Sequence, residues 1–189
     1  VWAEYAVRGH HHHPQNREWA GAFEQECNRR LAPLLGTTEE AVQVTGDLTT
    51  NLHRLVHQFY PGKGNVLMEP APFPSDLLVA ESQLEGGSGV IVHPECDEDG
   101  IVHGDDFMRA IHELGVSLMF MSAVHYRTGQ VFDIARIVAA ARKRQVAVIL
   151  DLAHAIGNIE LKLDEWEVDA AAWCSYKYLC GGPGAIAGI

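Results

Sequence analysis

The sequence lacks long apolar runs and is short of basic residues. No run approaches the ~20 apolar residues that a membrane-spanning helix needs, and no signal-peptide pattern is visible. The 14 lysines and arginines stand against 25 aspartates and glutamates, which gives a formal net charge of -11. Because nucleic acids and anionic membranes attract basic surfaces, this balance argues against both as partners. A phosphorylated cofactor is not excluded, since the N-terminus of a helix binds phosphate locally.

Cysteine is also scarce. The four cysteines, Cys27, Cys96, Cys174 and Cys180, include no CxxC pair, which favours reduced thiols in a cytoplasmic protein. The chain begins at Val1 without a methionine and ends in an apolar stretch, residues 185–189, that resembles the start of another strand. We therefore expect a fragment of a longer protein.

Helical and strand patterns alternate along most of the 189 residues, which are 47% hydrophobic and suffice for one sizeable core. Amphipathic spacing predicts helices at 18–35, 47–60, 76–84, 105–114 and 133–144. Short apolar runs predict strands at 41–44, 65–69, 90–92, 116–121, 146–150 and 170–174. Such alternation is typical of an α/β domain with a mostly parallel sheet flanked by helices.

Two of these strands deliver polar residues to one edge of the sheet. The run 146–150 leads directly into Asp151, and the run 170–174 ends shortly before Lys177. Open α/β sheets bind ligands at the carboxyl ends of their strands, so a carboxylate and a lysine are expected to face one crevice. This pair suggests pyridoxal phosphate, whose enzymes use a lysine and an acidic partner for the ring nitrogen. Taken alone, Asp151 could equally cap a helix and Lys177 could be a solvated loop charge.

Two further positions allow both a functional and an ordinary interpretation. The helix at 47–60 presents its N-terminal N–H groups beside Thr49, which makes an anion site, but capping by Asp47 or Thr49 would use the same groups. Phe73 lies between Pro72 and Pro74, which stiffen the backbone. Its ring could be simple core or an aromatic plate stacked on a planar heterocycle.

Histidine is plentiful without predicting a metal site. His10 to His13 are consecutive, and adjacent side chains rarely converge on one ion. His53 and His57 are four residues apart, but no glutamate lies between them as in HExxH, so we expect them to pack on the flank of their helix.

Six strings in order resemble the fold-type I pyridoxal-phosphate enzymes, in the branch with class V aminotransferases and cysteine desulfurases. Among these the kynureninase family is the most similar. The strings are Leu48-Thr49-Thr50-Asn51-Leu52-His53, Phe73-Pro74-Ser75-Asp76, Glu81-Ser82-Gln83-Leu84, His125 with Thr128-Gly129-Gln130, Asp151-Leu152-Ala153-His154-Ala155 with Gly157-Asn158, and Trp173-Cys174-Ser175-Tyr176-Lys177-Tyr178-Leu179. They cover nearly the whole chain, and together they are far more specific than any one of them.

The resemblance implies a role for each matching position. Lys177 and Asp151 would be catalytic: Lys177 would bond to the cofactor aldehyde and carry protons, and Asp151 would pair with the ring nitrogen. Phe73 would stack on the ring. The Leu48 backbone, Thr49 and Tyr176 would bind the phosphate, and Pro74, Ser75 and Asp76 would form the cofactor loop. Ser122 and His154 would also contact the cofactor, and His10 would lie on the substrate side.

The implied reaction is hydrolysis of the side chain of L-kynurenine or 3-hydroxykynurenine, giving anthranilate or 3-hydroxyanthranilate plus alanine. Members of the family are homodimers, and residues 1–189 would be part of the cofactor-binding large domain, without its N-terminal arm and C-terminal small domain. Three alternatives stay open. One is a cysteine desulfurase or class V aminotransferase, although desulfurases typically place a histidine before the lysine where this chain has Tyr176. A second is a truncated, non-catalytic binding partner, and a third is a metal-binding module built on the histidines.

Overall fold

The computed structural model describes residues 14–189, with side chains described from Gly21 onward. The histidine run at 10–13, and with it the predicted substrate contact His10, lies outside the described residues. Five helices follow one another along the described chain: α1 (Pro14–Leu35), α2 (Leu48–Phe59), α3 (Pro74–Leu84), α4 (Gly104–Glu113) and α5 (Ile134–Arg142). The five strands are β1 (Asn65–Leu67), β2 (Ile91–Val92), β3 (Val116–Ser122), β4 (Ala147–Asp151) and β5 (Ala170–Ala172).

All five strands form one parallel sheet in the order β2-β1-β3-β4-β5. Side chains alternate between its faces, as the period of two in a strand requires. In β3, Leu118 and Phe120 pack with residues of α2 and α3, whereas Met119 and Met121 pack with residues of α4 and α5. Helices therefore cover both faces, and the predicted α/β fold is confirmed.

The register brings the ends of the central strands together. Ser122, the last residue of β3, is the partner of Asp151, the last residue of β4. Asp151 is in turn paired with Ala172 at the end of β5. Because all the strands are parallel, their carboxyl ends form a single edge, and the N-terminus of α2 reaches the same edge.

The predicted strand at 41–44 is wrong in its extent. Residues Glu39–Ala41 form a 3-10 turn, in which the Ala41 N–H donates to the Thr38 carbonyl. Only Val44 makes a bridge, antiparallel to Gly188, and Gly188 makes a second bridge to Trp173. The predicted terminal strand at 185–189 is likewise reduced to these single bridges. Gly188 lies so close to the Trp173 indole that a Cβ there would overlap the ring.

Two histidines tie α2 to α3, as expected for packing residues. His57 Nδ1 is 3.0 Å from Gln83 Oε1, and His53 Nδ1 is 3.4 Å from Ser82 Oγ. The Glu81-Ser82-Gln83-Leu84 string therefore has a structural basis in this helix pair. No helix among residues 14–189 is long and apolar enough to cross a membrane.

Candidate active site

A cleft of about 150 Å³ opens at the carboxyl edge of the sheet, between the ends of β3 and β4 and the N-terminus of α2. Nine residues predicted from the sequence line it together with two others, Asp47 and Tyr126. The nine are Leu48, Thr49, Phe73, Ser75, Ser122, Asp151, His154, Tyr176 and Lys177. The predicted loop residues Pro74 and Asp76 are not among the lining residues of this described cleft. Residues from five separate stretches of sequence thus meet at one place.

Asp151 lies on the floor of the cleft and is only 5% exposed. Its Oδ1 accepts a hydrogen bond of 2.7 Å from the Ala153 N–H. Burial raises the pKa of Asp151, while the Ala153 N–H, the Asp76 carboxyl and the charge of Lys177 all favour its ionised form. Asp151 therefore has donors and a cation around it that suit a carboxylate facing a ligand.

Asp76 lies behind Asp151 as a second, more deeply buried carboxyl. It is 1% exposed, sits within hydrogen-bonding reach of Asp151, and accepts a 3.2 Å hydrogen bond from Ser75 Oγ. Burial first, and then the negative charge of Asp151, raises the pKa of Asp76 to about 9. One proton therefore serves the pair and resides on Asp76, because Asp151 has the stronger set of donors. Asp76 acts on the cleft through Asp151.

Lys177 and His154 form a second polar pair in the cleft. Lys177 Nζ is 2.8 Å from His154 Nε2. Burial, followed by the charge of Lys177, lowers the pKa of His154, so the imidazole is neutral and its Nε2 accepts from the lysine. Lys177 Nζ also lies 5.5 Å from the centre of the Phe73 ring and 5.9 Å from that of Tyr176.

The Phe73 ring forms one wall of the cleft and is 37% exposed, which favours the aromatic plate over simple core. Tyr126 meets it edge-on, with ring centroids 5.1 Å apart and planes at 84°. The backbone before Phe73 is held by His125, whose Nε2 donates to the carbonyls of Pro70 and Ala71 at 3.0 and 3.3 Å. This clamp supports Ala71 in a left-handed conformation, with a φ of 47°.

The same loop gives Thr128, which belongs to the same string as His125, a structural role. The Thr128 N–H donates to His125 Nδ1 at 3.2 Å, which leaves Nε2 protonated for the two carbonyls. Tyr126 is a site residue that the sequence analysis missed, although it lies between His125 and Thr128. A tyrosine in a loop carries no periodic signal, and only the fold shows that its ring reaches Phe73.

The N-terminus of α2 combines a cap with a ligand-facing surface. Asp47 accepts from Thr50 N at 2.9 Å and from Thr50 Oγ at 2.7 Å, and these hydrogen bonds lower the pKa of Asp47. The capping interpretation is thus correct for Asp47. Leu48 and Thr49, the first two helical residues, nevertheless line the cleft, where the positive end of the helix dipole favours an anion.

These groups fit pyridoxal phosphate. Lys177 is the one amine among the lining residues, Asp151 is a carboxylate suited to a ring nitrogen, and Phe73 offers an aromatic face. Thr49 and Tyr176 add hydroxyl groups beside the helix N-terminus. Burial raises the pKa of Tyr176, so its phenol remains a hydrogen-bond donor. Aldehyde, ring and phosphate each have a chemically suitable partner.

Comparison with known proteins agrees with this geometry. The chain is 39% identical over 202 residues to kynureninase 1 of Emericella nidulans and 40% identical over 201 residues to kynureninase of Eremothecium gossypii, covering all of this chain in both cases. It is also 39% identical to kynureninase of Flavobacterium johnsoniae over 204 residues. The chain spans 42%, 44% and 46% of the length of these three relatives.

Solved structures show the same fold at lower identity. A lysine-to-alanine mutant of C-DES with glycine covalently linked to its PLP cofactor superposes with a TM-score of 0.83, at 18% identity, over 98% of this chain and 50% of the other. Apo cysteine desulfurase from Thermococcus onnurineus gives a TM-score of 0.80, at 19% identity, over 96% of this chain and 44% of the other. The family model described as aminotransferase class-V matches residues 3–187. The chain is a member of the aminotransferase class-V family.

Proposed function

We propose that this chain binds pyridoxal phosphate and provides the cofactor-binding part of a kynureninase. The reaction is hydrolysis of L-kynurenine or 3-hydroxykynurenine to anthranilate or 3-hydroxyanthranilate and L-alanine. The observation that carries the proposal is the convergence of Lys177, Asp151 and Phe73 on one cleft. Identity of 36–40% to kynureninases along the whole chain supports this substrate class over that of the desulfurases, which share only the fold at under 20% identity.

The bound cofactor would supply an electron sink that stabilises negative charge on the substrate carbon next to the amino group. Lys177 would attach it, Phe73 would cover one face of its ring, and Asp151 would hold a proton on its ring nitrogen. Leu48, Thr49 and Tyr176 would bind its phosphate. Each assignment uses a lining residue whose chemistry matches the group it faces.

Proton transfer would fall to Lys177, which His154 positions. His154 Nε2, 2.8 Å from Lys177 Nζ, accepts a hydrogen bond from the amine and orients it in the cleft. Lys177 Nζ would carry a proton to and from the substrate's α-carbon. The lowered pKa of His154 keeps its imidazole neutral, so Nε2 remains an acceptor for the lysine.

Asp76 and Asp151 would act together on the ring nitrogen. The neutral Asp76 carboxyl donates to Asp151, which keeps the negative charge on the carboxylate that faces the ligand. A fixed charge in a buried site needs no reorganisation during the reaction, and it acts more strongly there than in water.

The proposal extends to the assembly. The substrate is a small amino acid, with His10 contributing on its side of the site, and neither nucleic acid nor a membrane takes part. The chain is part of the large domain, and two copies of the complete protein form a cytoplasmic homodimer. This extension rests on similarity to kynureninases over all of the chain.

Product analysis of the full-length protein with added pyridoxal phosphate tests the function. L-kynurenine, 3-hydroxykynurenine and L-cysteine are offered separately, and anthranilate, 3-hydroxyanthranilate and sulfide are measured. We expect the aromatic products and alanine in equal amounts, abolished by Lys177→Ala and retained by Lys162→Ala, which removes a half-exposed lysine that does not line the cleft. Sulfide from cysteine without turnover of either kynurenine would instead assign a desulfurase. Cofactor binding with no product from any substrate would assign a non-catalytic role.

A further inference from the structure

A third carboxyl lies beside the cleft, and the chemistry above does not use it. Glu69 follows β1 by two residues and is 1% exposed. The Ser122 N–H donates to both of its carboxylate oxygens, at 3.2 Å each. The Ser122 side chain lies within hydrogen-bonding reach as well. Glu69 therefore takes both donors of Ser122, a residue that lines the cleft.

Burying this carboxyl is costly, because a charge removed from water needs a partner. No lysine, arginine or histidine among residues 21–189 forms an ion pair with Glu69. The titratable groups facing it are Asp151 from β4 and Asp76 from α3, both carboxyls. His93 approaches only the backbone, with its Nδ1 3.0 Å from the Glu69 carbonyl oxygen. A buried acid in an acidic environment calls for an explanation beyond packing.

Ser122 connects Glu69 to the cofactor site. Ser122 is the strand partner of Asp151, and the Ala123 N–H donates to the Asp151 carbonyl at 3.0 Å. A displacement of Ser122 would therefore move the floor of the cleft as well as its own hydroxyl.

We propose that Glu69 is a positioning residue of the cofactor site, which holds Ser122 against the cleft and makes cofactor affinity depend on pH near neutrality. This inference rests on the proposed binding of pyridoxal phosphate. The ionised carboxylate accepts from the Ser122 N–H and hydroxyl together, and its charge would favour a proton on the ring nitrogen that Asp151 would hold. When Glu69 is protonated, its carboxyl has no charge, and one of its two oxygens is no longer a strong hydrogen-bond acceptor.

The pH range follows from the burial of Glu69. Burial raises the pKa of Glu69 to about 7, against the weaker effect of the Ser122 hydrogen bonds, with the charge of Asp151 adding to the rise. Glu69 therefore ionises as pH rises through about 7. Cofactor affinity is expected to increase over the same interval.

Equilibrium dialysis with pyridoxal phosphate between about pH 6 and pH 8 tests the proposal. The variants are Glu69→Gln, which keeps the shape but not the charge, and Glu160→Gln, which removes an exposed carboxylate. Relative to wild type, we expect Glu69→Gln to bind about 5-fold more weakly near pH 8 and about equally near pH 6, a size typical of losing one net hydrogen bond. Because the cofactor's own titration is common to all variants, it cancels in these ratios.

Other outcomes are distinguishable. A Kd ratio of Glu69→Gln to wild type that is constant with pH would overturn the proposal and leave Glu69 a packing residue. Failure of wild type to bind would refute the proposed function itself, and the inference with it. Should Glu69→Gln not fold, Ser122→Ala serves instead: losing the hydroxyl should reduce the rise in affinity between pH 6 and pH 8, and an unchanged rise would contradict the proposal.

Discussion

Replacing Asp76 by asparagine should make the protein more stable at neutral and alkaline pH, although it removes a buried group beside the active site. The folded state raises the pKa of Asp76 from 3.8 to about 9. A carboxyl with a higher pKa when folded holds its proton more tightly when folded, so stability falls as pH rises between the two values. Asparagine has the shape of the protonated form, donates to Asp151 as well, and does not titrate.

The magnitude follows from the size of that shift. Each pH unit within the window costs about 1.4 kcal/mol, so between about pH 5 and pH 8 wild type should lose up to about 4 kcal/mol through Asp76 alone. The asparagine variant should show none of this loss in stability, because its side chain does not titrate. Glu69 adds a similar loss up to about pH 7, but it does so in both proteins and cancels in the comparison.

Urea unfolding of both proteins at these two pH values, without cofactor, measures the difference. We expect the variant to gain stability relative to wild type as pH rises. Asp76→Ala is the informative control, since it also removes the titration but leaves Asp151 without its donor, at a cost of about 1–3 kcal/mol. Parallel pH dependences for wild type and Asp76→Asn would refute the assignment of the shared proton to Asp76.

Three further substitutions test individual contacts in the structure. Asp47→Ala should lower the free energy of unfolding by about 1 kcal/mol in a urea titration, because Thr50 loses its cap, whereas Asp47→Asn should retain most of it. Phe73→Leu should weaken pyridoxal phosphate binding about 2- to 10-fold in equilibrium dialysis, since a stacked aromatic pair contributes about 0.5–1.5 kcal/mol; an unchanged Kd would argue against stacking. Gly188→Ala should destabilise by about 1–3 kcal/mol, because its Cβ overlaps the Trp173 ring, and an unchanged Tm would contradict this contact.

The elements that position the site could be predicted because their signals are local. The apolar run before Asp151 predicts a buried strand, and β4 ends at that residue. The amphipathic stripe after Asp47 predicts α2, and the structure differs by one residue at each end. The strand predicted at 41–44 fails because Val44 finds its partner in Gly188, far along the chain, and no local pattern reports that pairing.

Within the site, the chemical types of the residues could be predicted from the sequence, but the burial of their side chains could not. A sequence places Asp76 in the same loop as Phe73, yet only the packing of α3 against the sheet shows that Asp76 is buried behind Asp151. The same applies to Glu69, which follows an ordinary strand. Its role depends on β3 lying next to β1, a matter of sheet order. Long-range neighbours of this kind carry no periodicity in the sequence.

The measurement that tests the central claim most directly is an absorbance titration of the protein with pyridoxal phosphate, beside Lys177→Ala and Lys162→Ala. The account predicts a visible band distinct from that of the free cofactor in wild type and in Lys162→Ala, because the amine in the cleft is intact in both. It predicts no such band in Lys177→Ala. A band that survives in Lys177→Ala, or is missing from wild type, would contradict the assignment of this cleft as a pyridoxal-phosphate site.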